Sequence, residues 1–221
     1  MRGKLIVLEG TDGSGKSTQF SLLCEYLEEN GKSFHRIVFP QYHEASSALV
    51  RMYLGGEFGH SPSDVNPYAA STFYAVDRYA SWKKIWGVEY EAGKLILADR
   101  YTTSNAVHQT GKLPEDQWEG FLSWLFDFEY RKLGLPEPAL VVYLDMPTER
   151  AVEMLRHREG ETQTSGDIHE VDTTYLARCR KVAQKAAELF DWKTVSCVDG
   201  EGNLRSPDEI HTEIRSIVSG L

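Results

Sequence analysis

Residues 8–18, LEGTDGSGKST, have the spacing of a loop that binds nucleotide phosphates. Gly10 and Gly15 flank four residues and are followed by Lys16 and Ser17, which completes the Walker A pattern. The glycines let backbone N–H groups turn toward phosphate oxygens, and the N-terminus of the following helix adds partial positive charge. Lys16 can reach the β- and γ-phosphates, and the Ser17 hydroxyl can coordinate Mg²⁺. The predicted phosphate-binding residues are Gly10, Gly13, Ser14, Gly15, Lys16, Ser17 and Thr18; the alternative is a tight turn with an incidental lysine.

A phosphate-binding loop occurs in several classes of protein, so further motifs must separate them. A guanine-specific switch protein usually carries Asn-Lys-x-Asp, and an Asp-x-x-Gly after a strand. This sequence has no Asn-Lys pair, and Asp99 and Asp145 are followed by RYT and MPT. A chain of 221 residues is also too short for a typical motor protein with its additional domains. These observations favour a small kinase.

KLILAD at 94–99 is an apolar run that predicts a buried strand; Asp99 ends this run and Arg100 follows it. Arg100 would then emerge at the carboxyl edge of the sheet, where ligands bind in open α/β folds. Its planar guanidinium suits a phosphate dianion. The alternative is an internal Asp–Arg ion pair at the end of the strand.

Short apolar runs and helical patterns alternate along the chain, which predicts a parallel sheet covered by helices on both faces. The expected fold is a three-layer α/β/α sandwich in a single domain, residues 1–221, with a mobile lid at about 157–170. A loop rich in Gly, Pro, Asp and Asn is expected from Gly55 to Pro67. The predicted strands are 4–9, 33–39, 94–99, 139–145 and 193–199. The predicted helices start near residues 16, 46, 68, 118, 147 and 172, and the one from 68 reaches about residue 91. A further helix is predicted at the C-terminus, with Ile210, Ile214, Ile217, Val218 and Leu221 on one face.

Composition limits the partners and the cellular location. The formal net charge of −9 disfavours a long nucleic acid as a partner, because a polyanion requires a basic surface. The apolar runs are shorter than a membrane span, and the N-terminus lacks the apolar core of a signal peptide. Three cysteines without a CxxC pair favour reduced thiols. We therefore expect a cytoplasmic protein that binds neither nucleic acid nor membrane.

Taken together, the motifs resemble the thymidylate kinases, P-loop nucleoside monophosphate kinases that convert dTMP to dTDP. The resemblance covers nearly the whole chain. It implies a P-loop NTPase fold, ATP and dTMP as substrates, Mg²⁺ with the ATP, and a homodimer. The matching stretches, in order, are IVLEGTDGSGKSTQ, FPQY (39–42), TFYAVDRYA (72–80), ADRYTTSNAVHQ (98–109) and EYRKLGLPEPALVVYLDMP (129–147).

The same resemblance implies roles at the phosphates and the sugar. Arg100 would hold the acceptor phosphate, and Asp12 would contact the sugar 3′-hydroxyl. Asp99 would lie near the Mg²⁺ and the phosphoryl group in transfer. His108 stands where relatives often carry Tyr or Phe against the deoxyribose 2′ position. Tyr42 and Ser104, within matching stretches, complete the acceptor side.

Three residues are expected to recognise the base. Arg78 lies four residues after Tyr74, hence on the same helix face. The family places an aromatic ring on thymine and an Arg on its polar edge at this spacing, although Tyr74 stands where Phe is usual. Asn105 offers a donor and an acceptor, which suit a pyrimidine N3–H and its neighbouring carbonyl. The alternative is core aromatics with a solvent-facing Arg78.

The lid departs most from the family pattern. Some thymidylate kinases carry an Arg within the phosphate-binding loop, where this chain has Gly13, and others place arginines in the lid. We predict that Arg158, with Arg156, closes over ATP; the alternative is solvated charge at a helix end. The predicted catalytic residues are Lys16, Asp99, Arg100, Arg156 and Arg158, and the predicted metal ligands are Ser17 and Asp99.

Two other functions stay open from the sequence. A deoxynucleoside kinase has a hydroxyl as acceptor and would need a carboxylate base, commonly in a Glu-Arg-Ser stretch where this chain reads DRYTTS. A non-catalytic nucleotide-binding protein is the other, because the lid is poor in arginine.

Overall fold

A parallel five-stranded sheet forms the centre of the molecule within the described residues. The computed structural model describes residues 2–162 and 173–220, and only the backbone of 158–162. The strand order is β2-β3-β1-β4-β5. The strands are β1 (Leu5–Gly10), β2 (Phe34–Val38), β3 (Leu95–Asp99), β4 (Leu140–Asp145) and β5 (Lys193–Ser196).

Strand β1 lies in the middle of the sheet and is buried along its whole length. Val7 pairs with Ala98 on β3 and with Val141 on β4. Both faces of these strands are covered, so their sequences are continuously apolar rather than alternating. Because β1 and β3 are parallel neighbours, their carboxyl ends lie at the same edge of the sheet. The phosphate-binding loop and Arg100, which follow these ends, are therefore close together.

Helices cover both faces of the sheet and create two separate cores. Val7 faces a core with Trp86, Tyr101 and Phe121, whereas Leu8 faces another with Leu23. This confirms the predicted three-layer α/β/α arrangement. The helices are α1 (Lys16–Glu29), α2 (Ala48–Leu54), α3 (Pro67–Ser81), α4 (Gly87–Glu91), α5 (Thr102–His108), α6 (Trp118–Phe126), α7 (Thr148–Thr162), α8 (Thr173–Leu189) and α9 (Pro207–Ser219).

The structure differs from the sequence prediction in three elements. The helix expected from residue 68 to 91 is interrupted by a π-helical turn, Trp82–Trp86, between α3 and α4. Helix α5 was not predicted, because TTSNAVH is rich in residues of low helix propensity. Strand β5 ends at Ser196, three residues early, because the Ser196 hydroxyl donates to the carbonyl of Val198 and the chain turns there.

Two further observations bear on the predicted location. No helix in the described ranges is long and apolar enough to cross a membrane. Cys24, Cys179 and Cys197 are all buried free thiols.

Candidate active site

The phosphate-binding loop connects β1 to α1 at the carboxyl edge of the sheet. β1 ends at Gly10, and α1 begins at Lys16 after Gly15, which has a left-handed φ of 78°. Gly13 also has a positive φ, of 79°. These conformations are strained for residues with a side chain, and they account for the glycines in the motif.

Lys16 and Asp99 face each other across the base of this loop. The Lys16 Nζ lies 3.9 Å from the Asp99 Oδ1, and both side chains are largely buried. Burial, helped by the neighbouring charge of Arg100, lowers the pKa of Lys16 below its usual value. The Asp99 Oδ1 is buried and accepts no hydrogen bond from any described residue. A buried carboxylate oxygen without a donor is suited to a cation or its water ligands.

Arg100 adopts a left-handed conformation, with a φ of 66°, directly after β3. Its guanidinium donates to Asp12, lies 3.4 Å from the Ser104 hydroxyl and is 4.0 Å from the Glu9 carboxylate. Burial alone would lower the pKa of Arg100, but these carboxylates raise it above the ordinary value. Arg100 thus pairs with Asp12. The alternative interpretation was an internal ion pair with Asp99 at the end of the strand.

His108 completes the surroundings of Arg100. Its Nε2 lies 3.3 Å from the Arg100 Nη1, and because a guanidinium only donates, that nitrogen accepts. Burial lowers the pKa of His108 to about 4, so the imidazole is neutral at pH 7. The side chain therefore adds a polar surface without adding positive charge.

One cavity is lined by every residue that the sequence analysis assigned to the binding site of the acceptor nucleotide. Phe39, Pro40 and Leu54 add apolar surface to it. The predicted residues in its lining are Asp12, Tyr42, Tyr74, Arg78, Arg100, Ser104, Asn105 and His108.

Arg78 is buried, which contradicts the alternative of a solvent-facing charge; its exposed fraction is 2%. Its Nε and Nη2 donate to the two carboxylate oxygens of Glu129, at 2.7 Å and 2.5 Å. Burial opposes the charge of Arg78, but Glu129 raises its pKa above the usual value. Sequence reasoning missed Glu129; the available signal was an acidic residue within an aromatic stretch, FDFEY.

Two other buried carboxylates were also missed. Glu9, within β1, accepts hydrogen bonds from the Thr103 and Ser104 hydroxyls and so ties α5 to the phosphate-binding loop. Asp77, on α3, accepts from the Gln41 backbone N–H and thereby fixes the segment that carries Tyr42. A glutamate inside an otherwise apolar strand was the signal for Glu9.

The structure describes the side chain of one of the two predicted lid arginines, Arg156. Arg156 is exposed on α7, and the side chain of Arg158 lies outside the described residues, as do positions 163–170 of the predicted lid. On α8, Arg180 donates to both oxygens of Asp145, and Arg178 donates to the Leu113 carbonyl. These two arginines therefore have partners on other elements of the described chain.

Helix α7 packs directly on the phosphate-binding loop. A Cβ atom added at Gly13 would lie 2.3 Å from the Ala151 carbonyl oxygen. No side chain fits at position 13 with α7 in this place, which accounts for the absence of an arginine there.

Comparison of this sequence with known proteins identifies the family that it matches. Residues 8–214 match the model of a family described as thymidylate kinase. A "Thymidylate kinase" of Mycobacterium tuberculosis (strain ATCC 25618 / H37Rv) is 34% identical over 187 residues, covering 83% of this chain and 86% of that protein. A "Probable thymidylate kinase" of Pyrococcus abyssi is 30% identical, covering 99% and 97%. A "Thymidylate kinase" of Thermosipho africanus is 28% identical, covering 96% of each.

We expect Gly13→Ala to destabilise the protein more than Gly15→Ala does. Both positions have a φ near +78°, so both variants incur the left-handed cost of roughly 1–2 kcal/mol. Only the Gly13 variant also collides with α7, since nothing lies within 4 Å of a Cβ at Gly15. We expect this overpacking to add about 1 kcal/mol or more, measured as the free energy of unfolding in urea without nucleotide. Equal losses in the two variants would contradict the packing of α7 on the loop.

Proposed function

The chain belongs to the thymidylate kinase family, and we propose that its paired cavities bind ATP and dTMP for transfer of the γ-phosphoryl group. The products are dTDP and ADP. One observation supports this most: the groove at the phosphate-binding loop and the acceptor cavity share Asp12, Tyr42 and Arg100 in their linings. Phosphates bound on the two sides would therefore meet at Arg100.

On the donor side, the loop from Gly10 to Ser17 would surround the ATP phosphates. Its backbone N–H groups and the start of α1 supply partial positive charge, and Lys16 supplies a full charge to the β- and γ-phosphates. Burial lowers the pKa of Lys16, and a bound polyphosphate would favour the charged form of its side chain.

On the acceptor side, Arg100 would hold the dTMP phosphate. That phosphate is largely dianionic at pH 7, since its second pKa is about 6, and its oxygen is already a nucleophile. A general base is therefore unnecessary. Catalysis then consists of positioning and charge neutralisation. The same cavity offers Asp12 to the sugar 3′-hydroxyl, and the neutral His108 beside Arg100 to the 2′ position.

The base would lie between Tyr74 and the polar wall formed by Arg78 and Asn105. A pyrimidine stacks on a flat ring, and the tyrosine ring provides one. Tyr74 itself packs edge-on against Tyr53, at 6.4 Å between ring centroids, which limits its rotation.

The residues also suit Mg²⁺ bound with ATP. Asp99 offers a buried oxygen without a described donor, and Ser17 offers a hydroxyl at the start of α1. Mg²⁺ at a nucleotide site needs only one or two protein ligands. The described ranges contain no group of three acidic, His or Cys side chains placed to hold a metal ion. When bound, the ion neutralises charge on the phosphates.

For the lid, we propose that Arg158, with Arg156, covers the transferred phosphoryl group. Position 158 follows Ala151 by seven residues, almost two helical turns, so it lies on the face of α7 that meets the loop. Position 156 lies about 140° away around the helix, and its side chain is exposed.

Arg158→Ala should therefore lower kcat by about 10³-fold, because loss of an arginine on the transferring phosphoryl group has that effect. Arg156→Ala changes a residue on another face of α7 and should lower kcat by a smaller factor. The measurement is steady-state ADP formation with dTMP and ATP both saturating. A change within about twofold for Arg158→Ala would remove this residue from the mechanism.

We further propose that the chain forms a homodimer through the outer face of α3 and α4. Val76, Tyr79, Ile85 and Val88 are exposed there, and Val88 retains 81% of its surface. Apolar side chains grouped on one surface indicate a protein contact. The three buried free thiols also support a cytoplasmic location, and the shared sheet supports a single domain over residues 1–221.

Replacing Val76 and Val88 by lysine together should convert the dimer to a monomer. Sedimentation velocity should then show about half the wild-type mass, because four charges would be buried in a symmetric interface. Wild-type protein that sediments as a monomer would contradict the proposed dimer.

The experiment that tests the function is ADP production from ATP and Mg²⁺ with dTMP, dUMP, UMP, dCMP and thymidine supplied separately. We expect turnover with dTMP to exceed turnover with every other acceptor. Turnover with thymidine but not dTMP would instead establish a nucleoside kinase and remove the proposed role of Arg100. ATP binding without any turnover would favour a non-catalytic nucleotide-binding protein.

A further inference from the structure

Glu129 connects three elements beneath the acceptor cavity. It lies on the π-helical segment Asp127–Lys132 after α6, and its side chain has no exposed surface. It accepts two hydrogen bonds from Arg78 on α3. It also accepts from the Thr102 hydroxyl at 2.8 Å and the Asn105 Nδ2 at 3.3 Å, both on α5. Four donor hydrogens therefore meet at one buried carboxylate.

These contacts fix the orientation of the Asn105 amide. Its Nδ2 donates to the Ser71 carbonyl oxygen, at 3.2 Å, and to Glu129. Both partners can only accept, so the NH₂ group must point toward them. A flipped amide would place its oxygen against two acceptors. The atom that Asn105 can present to the cavity is consequently its Oδ1, an acceptor.

The same carboxylate limits what Arg78 can present. Glu129 takes one hydrogen from Nε and one from Nη2, and the Tyr101 carbonyl oxygen lies 3.4 Å from Nη1. A guanidinium has five N–H groups and no acceptor, so the donors that remain are all that Arg78 can offer to a ligand. The cavity wall thus combines one acceptor from Asn105 with donors from Arg78.

We propose that Glu129 is a positioning residue that sets base specificity, by holding Arg78 and Asn105 as a donor–acceptor pair for a 4-oxo pyrimidine. The inference rests on the proposed function of the cavity. The N3–H of thymine would donate to the Asn105 Oδ1, and its O4 would accept from Arg78. Cytosine has an acceptor at N3 and an amino donor at position 4, so both contacts would be repulsive.

The amide orientation is the decisive step. If the Asn105 amide were able to turn, it would present its NH₂ to the N3 acceptor of cytosine. One of the two repulsive contacts with cytosine would then be lost. A site whose buried polar groups are fixed rejects a mismatched analogue strongly, because the mismatch leaves those groups unpaired. Glu129 makes this rejection possible without touching the nucleotide.

The test compares kcat/KM for dTMP and dCMP in the wild type and in Glu129→Gln. The amide carries its own donors into a cluster of donors and cannot neutralise Arg78, so at least one donor must turn away. We expect the dTMP/dCMP ratio to fall about tenfold or more. Most of the change should be a higher KM for dTMP, with kcat within about threefold, because Glu129 does not contact Lys16 or Arg100.

A purely structural role would lower the amount of folded protein without changing this ratio, since both substrates are measured on the same molecules. Thr102→Val is the matched control: it removes another hydrogen bond to Glu129 but leaves Arg78 and Asn105 in place. Its ratio should stay within about twofold of the wild type. A fall as large as that of Glu129→Gln would overturn the proposal.

If Glu129→Gln does not fold, Glu129→Asp keeps the charge and withdraws the carboxylate by one methylene. It should lower the ratio in the same direction. A wild-type ratio in whichever of these variants folds would overturn the positioning role. Absence of dTMP turnover in the wild type would refute the proposed function instead, so the two failures are distinguishable.

Discussion

The site depends on keeping three cations charged near the edge of the sheet: Lys16 and Arg78, which are buried, and Arg100, which is partly buried. A buried charge without a partner costs several kcal/mol even after relaxation, so each needs a carboxylate close by. Asp99 lies beside Lys16, Glu129 beside Arg78, and Asp12 beside Arg100. The partners of the two arginines come from other elements than the arginines do. Pairing charge across elements therefore assembles the cavity.

Helix α5 shows how this requirement shapes local structure. Its sequence is polar and a poor intrinsic helix former, yet nearly all of it is buried. The hydroxyls of Thr103 and Ser104 bind Glu9, and Thr102 and Asn105 bind Glu129. The helix is thus stabilised by two buried carboxylates on opposite sides, and its residues Asn105 and His108 line the same cavity as Arg100.

This arrangement also explains how far the sequence could be interpreted. The phosphate-binding loop and Arg100 were predictable, because their residues adjoin strands with clear apolar runs. Glu129 and Glu9 were not, because their partners lie far along the chain; Arg78 is 51 residues from Glu129, and Thr103 is 94 from Glu9. Periodicity detects which face of a helix is buried, but it does not detect which distant donor a buried acid will meet. Helix α5 was missed for the same reason, since tertiary contacts rather than propensity stabilise it.

The pairing of Arg100 with Asp12 has a consequence for how an acidic protein accepts an anion. The charge of Arg100 is balanced by Asp12 in this structure. A protein with a net charge of −9 can therefore hold a cation at the site without an exposed basic surface. A phosphate dianion carries more charge than a carboxylate and accepts two parallel N–H bonds, so it can compete with Asp12 for the guanidinium. Asp12 would then be available to a sugar hydroxyl at the same moment. The charge that pairs with Asp12 in this structure would thereby also orient a nucleotide.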